Sequence, residues 1–296
     1  RFITSLPGEI EVTDEIYAVT VNPGATAHLQ QPSGFKTSYE DAYSHKPISD
    51  WNASDRMSTL PVLLQDADDR YILISESDLT DYPAMFLKGD GNGSFHSIFP
   101  KVPVKFGEDG DRSVKILEEA PYIALTGGTR SFPWRFMAIG DGKDIAGQTM
   151  SARLAQRNSL TDTSWIKPGT ASWEWWNGAT PYGDDVEFES GFNMNTYKYF
   201  IDFAARYGIP YIIMDEGWAM DTRDPYTPNP EVDVHEIVRY GKGKGVGVFL
   251  WLTWLTVENN FDLFKTFSDW GVKGVKIDFM DRSDQWMVCL LYTSPS

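Results

Sequence analysis

Short apolar segments alternate with amphipathic segments in the second half of the chain, and this alternation constrains the fold more than any other feature. The strand candidates are residues 170–177, 210–214, 246–253 and 274–279, and the helix candidates are 193–207, 233–241 and 261–270. A glycine closely follows each helix candidate, as expected at a helix C-terminus. Apolar strands that alternate with helices form parallel sheets. The pattern therefore predicts an α/β domain.

The ends of these strand candidates favour one α/β architecture over another. A doubly wound sheet is possible, but no Gly-x-Gly-x-x-Gly motif follows the first strand, which counts against nucleotide binding. Polar residues and tryptophans gather after all four strands, where a (β/α)8 barrel carries its active site. The sequence therefore predicts the first half of a (β/α)8 TIM barrel over residues 164–288.

The first part of the chain has a different pattern. Residues 60–65 and 70–76 resemble a hairpin around an acidic turn, and a glycine-rich breaker covers 89–93. Further short strand candidates follow at 113–118, 121–126 and 134–140, and no segment of helical period is evident. Short strands with regular turn signals predict an N-terminal β-sandwich over residues 1–163.

The two ends of the sequence call for separate interpretation. Residues 289–296 read like one frame of a translated sequencing adapter, with an ordinary polar C-terminus as the alternative. They contain Cys289, the sole cysteine, so we expect neither a disulfide framework nor a thiol nucleophile. The chain starts at Arg1, and a signal peptide is neither visible nor excluded.

Charge limits the classes of partner. The formal net charge is −16, with 42 acidic and 26 basic residues. A nucleic-acid partner is disfavoured because phosphate binding needs a basic surface, whereas abundant carboxylates can serve a metal. No apolar run reaches the length of a membrane span, and the four histidines show no metal-ligand spacing.

The fourth strand candidate carries the strongest catalytic signal, in Gly274-Val-Lys-Ile-Asp-Phe-Met-Asp-Arg282. Side chains alternate along a strand, so Lys276 and Asp278 share a face. A nearby ammonium would keep Asp278 ionised, as a nucleophile requires. A buried ion pair that only stabilises the barrel is the structural alternative.

Three further strand ends supply candidate sugar contacts. Asp215 and Glu216 end the second strand, followed by Trp218, which could stack on a sugar; a solvated loop is the alternative. Glu174 on the first strand and Trp251 on the third are also candidate substrate contacts. For the tryptophans, core packing is an equal possibility.

These stretches together resemble glycoside hydrolase family 97. The resemblance covers roughly residues 10–288 and rests on Tyr71-Ile-Leu-Ile-Ser-Glu-Ser-Asp-Leu-Thr-Asp-Tyr-Pro83, on residues 197–218 with Asp-Glu-Gly-Trp, and on Val275-Lys-Ile-Asp-Phe-Met-Asp-Arg282. It implies a β-sandwich, a (β/α)8 barrel and a small C-terminal β domain. It also implies exo-acting α-glucosidases and α-galactosidases that require calcium, with Glu76 at the position expected for a ligand from the N-terminal domain.

The resemblance also gives Asp278 a role. Retaining members carry an aspartate nucleophile at the end of the fourth strand, whereas inverting members lack it and use carboxylates placed elsewhere. Asp278 matches the retaining pattern, and the partner acid/base, a glutamate on a later strand, is expected beyond Val288. The implied substrate is an oligosaccharide or other α-glycoside, most simply an α-galactoside. An inverting α-glucosidase and a non-catalytic carbohydrate-binding protein are the alternatives. Family analogy suggests a periplasmic or secreted protein.

Overall fold

The computed structural model describes residues 1–293, and residues 294–296 lie outside the described part. The chain divides into two compact units. Unit 1 comprises Arg1–Gly107, Lys115–Ser159 and Asp281–Thr293, and unit 2 comprises Glu108–Val114 and Leu160–Met280. In the described chain, no helix combines the length and apolarity that crossing a bilayer requires.

The strands and α-helices have the following bounds. The strands are β1 (Ile3–Val12), β2 (Ala18–Thr20), β3 (Thr26–Gln30), β4 (Tyr43–Pro47), β5 (Val62–Ala67), β6 (Arg70–Ser77), β7 (Phe86–Gly89), β8 (Ser94–Ile98), β9 (Pro103–Asp109), β10 (Ser113–Glu119), β11 (Ala124–Ser131), β12 (Trp134–Gly140), β13 (Ala171–Trp173), β14 (Tyr211–Met214), β15 (Ala219–Asp221), β16 (Asp224–Pro228), β17 (Gly247–Thr253) and β18 (Gly274–Asp278). The α-helices are α1 (Gly142–Gly147), α2 (Met150–Leu154), α3 (Met194–Tyr207), α4 (Val234–Lys244), α5 (Trp254–Val257), α6 (Asp262–Trp270) and α7 (Gln285–Thr293).

Unit 1 is a β-sandwich, as the sequence predicts. A five-stranded antiparallel sheet has the order β12-β6-β5-β3-β4, and a three-stranded sheet has the order β2-β8-β7. Its core includes the fully buried Trp51, Leu64, Ile74 and Tyr82. The predicted hairpin is β5–β6, which forms as expected around its acidic turn.

Two details of unit 1 differ from the prediction. Helices α1 and α2 have six and five residues, which is too short for a helical period to be recognised in the sequence. Asp141 caps α1 by accepting a hydrogen bond from the Asp144 backbone N–H. Residues 289–293 of the expected adapter segment form the end of α7; the rest of that segment lies outside the described residues.

Unit 2 contains a four-stranded parallel sheet in chain order, β13-β14-β17-β18. Helices α3, α4 and α6 connect the strands, and each ends at a left-handed glycine: Gly208, Gly245 and Gly271. The core between helices and sheet includes Ile201, Leu250 and Phe267. This is the arrangement of the first half of a (β/α)8 barrel and confirms the predicted fold class.

One predicted strand is shorter than expected. We predict residues 170–177 as a strand, but only Ala171–Trp173 is extended, and Glu174–Asn177 forms a 3-10 helix closed by the left-handed Gly178. Side chains after Trp173 therefore do not alternate between two faces as they would along a strand. The physical reason is that Glu174 turns inward, where its carboxylate accepts two hydrogen bonds.

Candidate active site

The carboxyl ends of four parallel strands meet along one edge of the unit 2 sheet. The register pairs Trp173 with Ile213 and Thr253 with Asp278. Because neighbouring parallel strands end together, residues that follow or end them lie close in space although they are far apart in the sequence. This edge is the candidate active site.

Asp278 is the last residue of β18, and its side chain is 38% exposed. Its Oδ2 accepts hydrogen bonds from the Lys276 ammonium and from the indole Nε1 of Trp251, the latter at 2.9 Å. Its Oδ1 accepts from the Phe279 backbone N–H at 2.8 Å. Partial burial acts to raise the pKa of Asp278, but these hydrogen bonds, from Lys276 first, outweigh it and lower that pKa below its usual value. Asp278 is thus an ionised carboxylate that solvent can reach.

The residue after Asp278 has an unusual backbone. Phe279 has φ = 64°, in the left-handed region that residues with a Cβ rarely adopt. Such a conformation costs on the order of 1 kcal/mol or more and persists only where the surrounding structure holds it. Here it aims the Phe279 N–H at the Asp278 carboxylate, so the strained turn contributes to the site.

For two tryptophans at the candidate site, the structure favours core packing over sugar stacking, the two alternatives that the sequence leaves open. Trp218 is 2% exposed and packs edge-on against Phe267, with its indole Nε1 donating to the Trp251 carbonyl at 2.8 Å. This burial leaves no ring face for a sugar, so the suggested stacking role of Trp218 does not fit its position. Trp251 is also buried, and its indole N–H holds Asp278.

Glu174 is buried under the first two strand ends, where it supports the half-buried Asp215. Glu174 Oε1 accepts from the Tyr197 hydroxyl and from the Asp215 backbone N–H, both at 2.7 Å. Burial raises the pKa of Glu174 to about 7, although these hydrogen bonds oppose the rise. Its Oε2 is buried and has no hydrogen-bond partner within residues 1–293. At 3% exposure, Glu174 positions the site from below, and the direct sugar contact suggested from sequence does not fit its burial.

Asp215 links the buried Glu174 to Trp173 and, through that ring, to Lys276. Its Oδ2 accepts from the Trp173 indole Nε1 at 2.7 Å. The Lys276 ammonium lies 4.8 Å from the Trp173 ring centroid, a cation–π contact that fixes it beside Asp278. The predicted candidates Lys276, Asp215 and Asp278 therefore share one continuous set of contacts, with Trp173 as the link.

Glu216 lies at the same edge and is held by two partners. Its carboxylate accepts from the Arg112 guanidinium and from the Thr222 hydroxyl, the latter at 2.8 Å. Arg112 also lies 5.2 Å from the centroid of the Phe279 ring. Sequence patterns gave no sign of Arg112, because it lies about 100 positions before its partner and just ahead of the strand predicted over residues 113–118.

Glu76, the candidate calcium ligand, is in unit 1. It lies on β6 directly opposite Arg135 on β12 and forms an ion pair with that residue. Glu76 also lines a cavity of about 250 Å³ together with Tyr39, Thr59 and Met85. Within the described chain, no group of three or more His, Cys, Asp or Glu side chains is arranged to hold a metal. Glu76 on its own supplies one carboxylate that is already paired, which falls short of the six to eight oxygen ligands of calcium.

Sequence comparison relates both parts of the chain to one family. Residues 1–156 match the description "Glycosyl-hydrolase 97 N-terminal", and residues 175–294 match "Glycoside hydrolase 97". A protein of Bacteroides thetaiotaomicron described as a retaining alpha-galactosidase is 36% identical over 267 residues, which is 88% of this chain and 40% of that protein. A probable retaining alpha-galactosidase of Streptomyces bingchenggensis is 35% identical over 165 residues, which cover 53% of this chain and 25% of that protein. The chain thus spans less than half the length of these relatives.

A solved structure shares the fold. A glycoside hydrolase family 97 enzyme from Pseudoalteromonas sp. strain K8, in complex with acarbose, superposes with a TM-score of 0.77 at 23% identity. The match covers 98% of this chain and 46% of that one. It supports the succession of sandwich and partial barrel.

Proposed function

Since the chain belongs to glycoside hydrolase family 97, we propose that it carries the nucleophile of a retaining α-glycosidase that acts on the non-reducing end of α-linked sugars. The observation that carries this proposal is Asp278, an ionised and accessible carboxylate at the end of the fourth parallel strand. Its environment suits a nucleophile, because hydrogen bonds to the charged form keep it unprotonated at neutral pH.

The proposed reaction is a double displacement. An Asp278 carboxylate oxygen attacks the anomeric carbon, the glycosidic C–O bond breaks, and the leaving oxygen takes a proton from an acid/base glutamate. Water, deprotonated by the same glutamate, then attacks the anomeric carbon and releases Asp278 with net retention. That glutamate is assigned, as the resemblance implies, to a position beyond Val288.

The residues around Asp278 have supporting roles in this proposal. Lys276, held against the Trp173 ring, neutralises the carboxylate before attack and stabilises it again as it leaves the sugar. Asp215 and Glu216 lie at the same strand edge and can accept hydrogen bonds from sugar hydroxyls. Glu174 and Trp251 position these groups from the buried side.

A chemical rescue experiment tests the nucleophile assignment. In the gene product that contains this chain, Asp278→Gly should lower kcat by on the order of 10³-fold or more. Added azide should restore turnover and yield a glycosyl azide of inverted configuration, because the small anion takes the place of the carboxylate. Asp221→Asn, an exposed carboxylate on β15, is the control and should keep normal activity. Unchanged turnover in Asp278→Gly would refute the assignment.

We propose α-galactosides as the preferred substrates, because the two relatives named above are described as a retaining and a probable retaining alpha-galactosidase. The test is to compare kcat/KM for aryl α-galactosides and aryl α-glucosides. Proton NMR of the first-formed sugar separates this reading from an inverting α-glucosidase. A non-catalytic sugar-binding protein would bind oligosaccharides in calorimetry without releasing any product.

Calcium dependence and export are separate proposals. Glu76 would supply one carboxylate ligand, and the remaining oxygen ligands would have to come from outside the residues that the structure describes. Calcium, when bound, would act as a hard Lewis acid or a fixed positive charge. Chelator followed by calcium add-back, read out by activity and by thermal midpoint, tests this. Cell fractionation tests the proposed periplasmic or secreted location.

A further inference from the structure

An exposed group of indole rings follows β13 in unit 2. Trp175 is 58% exposed and Trp176 is 76% exposed. The rings of Trp173 and Trp175 stack with centroids 5.0 Å apart and planes 19° apart, and Trp176 lies edge-on to both at 5.6 Å. We call these three residues the indole cluster. Two of its members present large apolar faces to solvent, where they contribute little to the core.

The backbone beneath the indole cluster is well fixed. The 3-10 helix Glu174–Asn177 is anchored by the buried Glu174, which accepts hydrogen bonds from Tyr197 and Asp215. Gly178 closes the turn with its N–H donating to the Glu174 and Trp175 carbonyls. The exposed rings are therefore carried on a rigid support, which lowers the entropy lost when a ligand binds them.

The indole cluster is continuous with the candidate active site. The Trp173 indole Nε1 donates a hydrogen bond to Asp215 at 2.7 Å. The Trp173 ring also makes a cation–π contact with the Lys276 ammonium, which in turn contacts Asp278. From Lys276, one contact of 4.8 Å leads to Trp173 and a second of 5.0 Å leads to Trp175.

We propose that Trp175 and Trp176 form a sugar-stacking subsite for the leaving-group side of an oligosaccharide substrate. This inference rests on the proposed function. In an exo-acting enzyme the terminal sugar occupies the site at Asp278, so any further sugar must lie on the leaving-group side. The apolar face of a pyranose packs well against an indole ring, and Asn177, the exposed residue that follows Trp176, has an amide that can pair with hydroxyls.

The test compares two substrates that differ in the leaving group. An α-galactosyl trisaccharide has sugars that can reach the indole cluster, whereas α-galactosyl fluoride has a single leaving atom. In Trp175→Ala and Trp176→Ala enzymes, kcat/KM for the trisaccharide should fall about 5- to 30-fold, mainly through KM. The value for the fluoride should stay within about twofold. Trp165→Ala, which removes an indole 55% exposed outside the indole cluster, is the matched control and should change neither value.

Two results would overturn the subsite. Equal values of the trisaccharide-to-fluoride ratio in variant and parent would show that the rings do not bind the leaving group. A fall in thermal midpoint without a change in that ratio would show that they pack against protein instead. Binding of the trisaccharide to the Asp278→Asn protein, followed by tryptophan fluorescence, provides a readout without turnover, and Trp175→Ala should weaken it by a similar factor. Undiminished fluoride hydrolysis in Asp278→Asn would instead refute the proposed function, independently of the subsite ratio.

Discussion

The two units each contain a carboxylate that pairs with a cation, and the pairs differ in their exposure to solvent and in the number of partners. In unit 1, Arg135 is 6% exposed and lies between Glu15 and Glu76, with Nε and Nη2 donating to Glu15 at 2.7 and 3.0 Å. In unit 2, Lys276 and Asp278 are open to solvent at a strand end. In the first arrangement the cation is almost fully buried between two carboxylates, whereas in the second a carboxylate 38% exposed pairs with a single cation.

The pKa values of Glu76 and Asp278 are shifted in opposite directions. Burial dominates at Glu76 and raises its pKa to about 7 in spite of Arg135. At Asp278 burial is partial, and hydrogen bonds to the charged form lower the pKa. The comparison teaches that the number of donors and the degree of exposure decide whether an ion pair stabilises a fold or supplies a reactive anion.

The largest expected effect is on the stability of unit 1. Arg135→Met leaves the buried Glu15 and the mostly buried Glu76 without their cation, which should lower the free energy of unfolding by about 3–5 kcal/mol. Urea unfolding at neutral pH measures it. Arg70→Met, which breaks an exposed pair with Asp66, is the control and should cost at most about 1 kcal/mol. Similar losses in both variants would mean that burial does not distinguish the two pairs.

The second-largest expected effect is the pH dependence of stability that the buried Glu174 causes. The pKa of Glu174 is raised from 4.5 to about 7, so its proton is bound more tightly in the folded state. Its contribution to stability is full below pH 4.5 and is lost as the pH rises towards 7. Over this window the parent should lose on the order of 1–3 kcal/mol relative to Glu174→Gln. Parallel stability–pH curves for the two proteins would contradict the expectation.

A smaller effect is expected at the solvent-accessible pair Lys276–Asp278. Trp251→Phe removes one hydrogen bond to Asp278, so the pKa of Asp278 should rise and the acidic limb of the kcat/KM profile should move to higher pH. Activity on that limb should fall about two- to tenfold. A uniform loss at every pH would assign Trp251 a packing role instead. Trp254→Phe, at a buried indole of the following helix, is the control.

The smallest effect is expected at the rim of the candidate site. Arg112 and Glu216 have side chains 44% and 29% exposed, and such pairs contribute about 0.2–1 kcal/mol. Arg112→Gln should therefore change thermal stability little and raise KM by no more than about threefold. The difference should shrink in high salt, because the pair is accessible to ions. A loss as large as that from Arg135→Met would abolish the contrast between the enclosed and open pairs.

Local signals in the sequence were enough to predict most of unit 2. Asn193 caps α3 by accepting from the Thr196 N–H, and Gly208 ends it in the left-handed conformation. Such caps act within one helical turn, so they are readable without knowledge of the fold. The alternation of strands and helices then located Asp278 at a strand end, and the family resemblance supplied its role.

The parts that sequence reasoning missed depend on distant contacts. Glu174 turns inward because it pairs with Tyr197 and Asp215, 23 and 41 positions away. Arg135 pairs with Glu15 across 120 positions. The burial of Trp218 follows from packing against α6, which its neighbours in the sequence do not reveal. Periodicity describes one segment at a time, so it carries no information about these partners.

The left-handed backbone at Phe279 has a consequence for engineering. Glycine adopts this conformation without steric cost, so Phe279→Gly would relieve strain while also loosening the turn that aims an N–H at the nucleophile. Selection for thermal robustness and selection for turnover would then pull this position in opposite directions. A library screened only for heat resistance would be expected to enrich glycine at residue 279 and to lose catalytic speed with it.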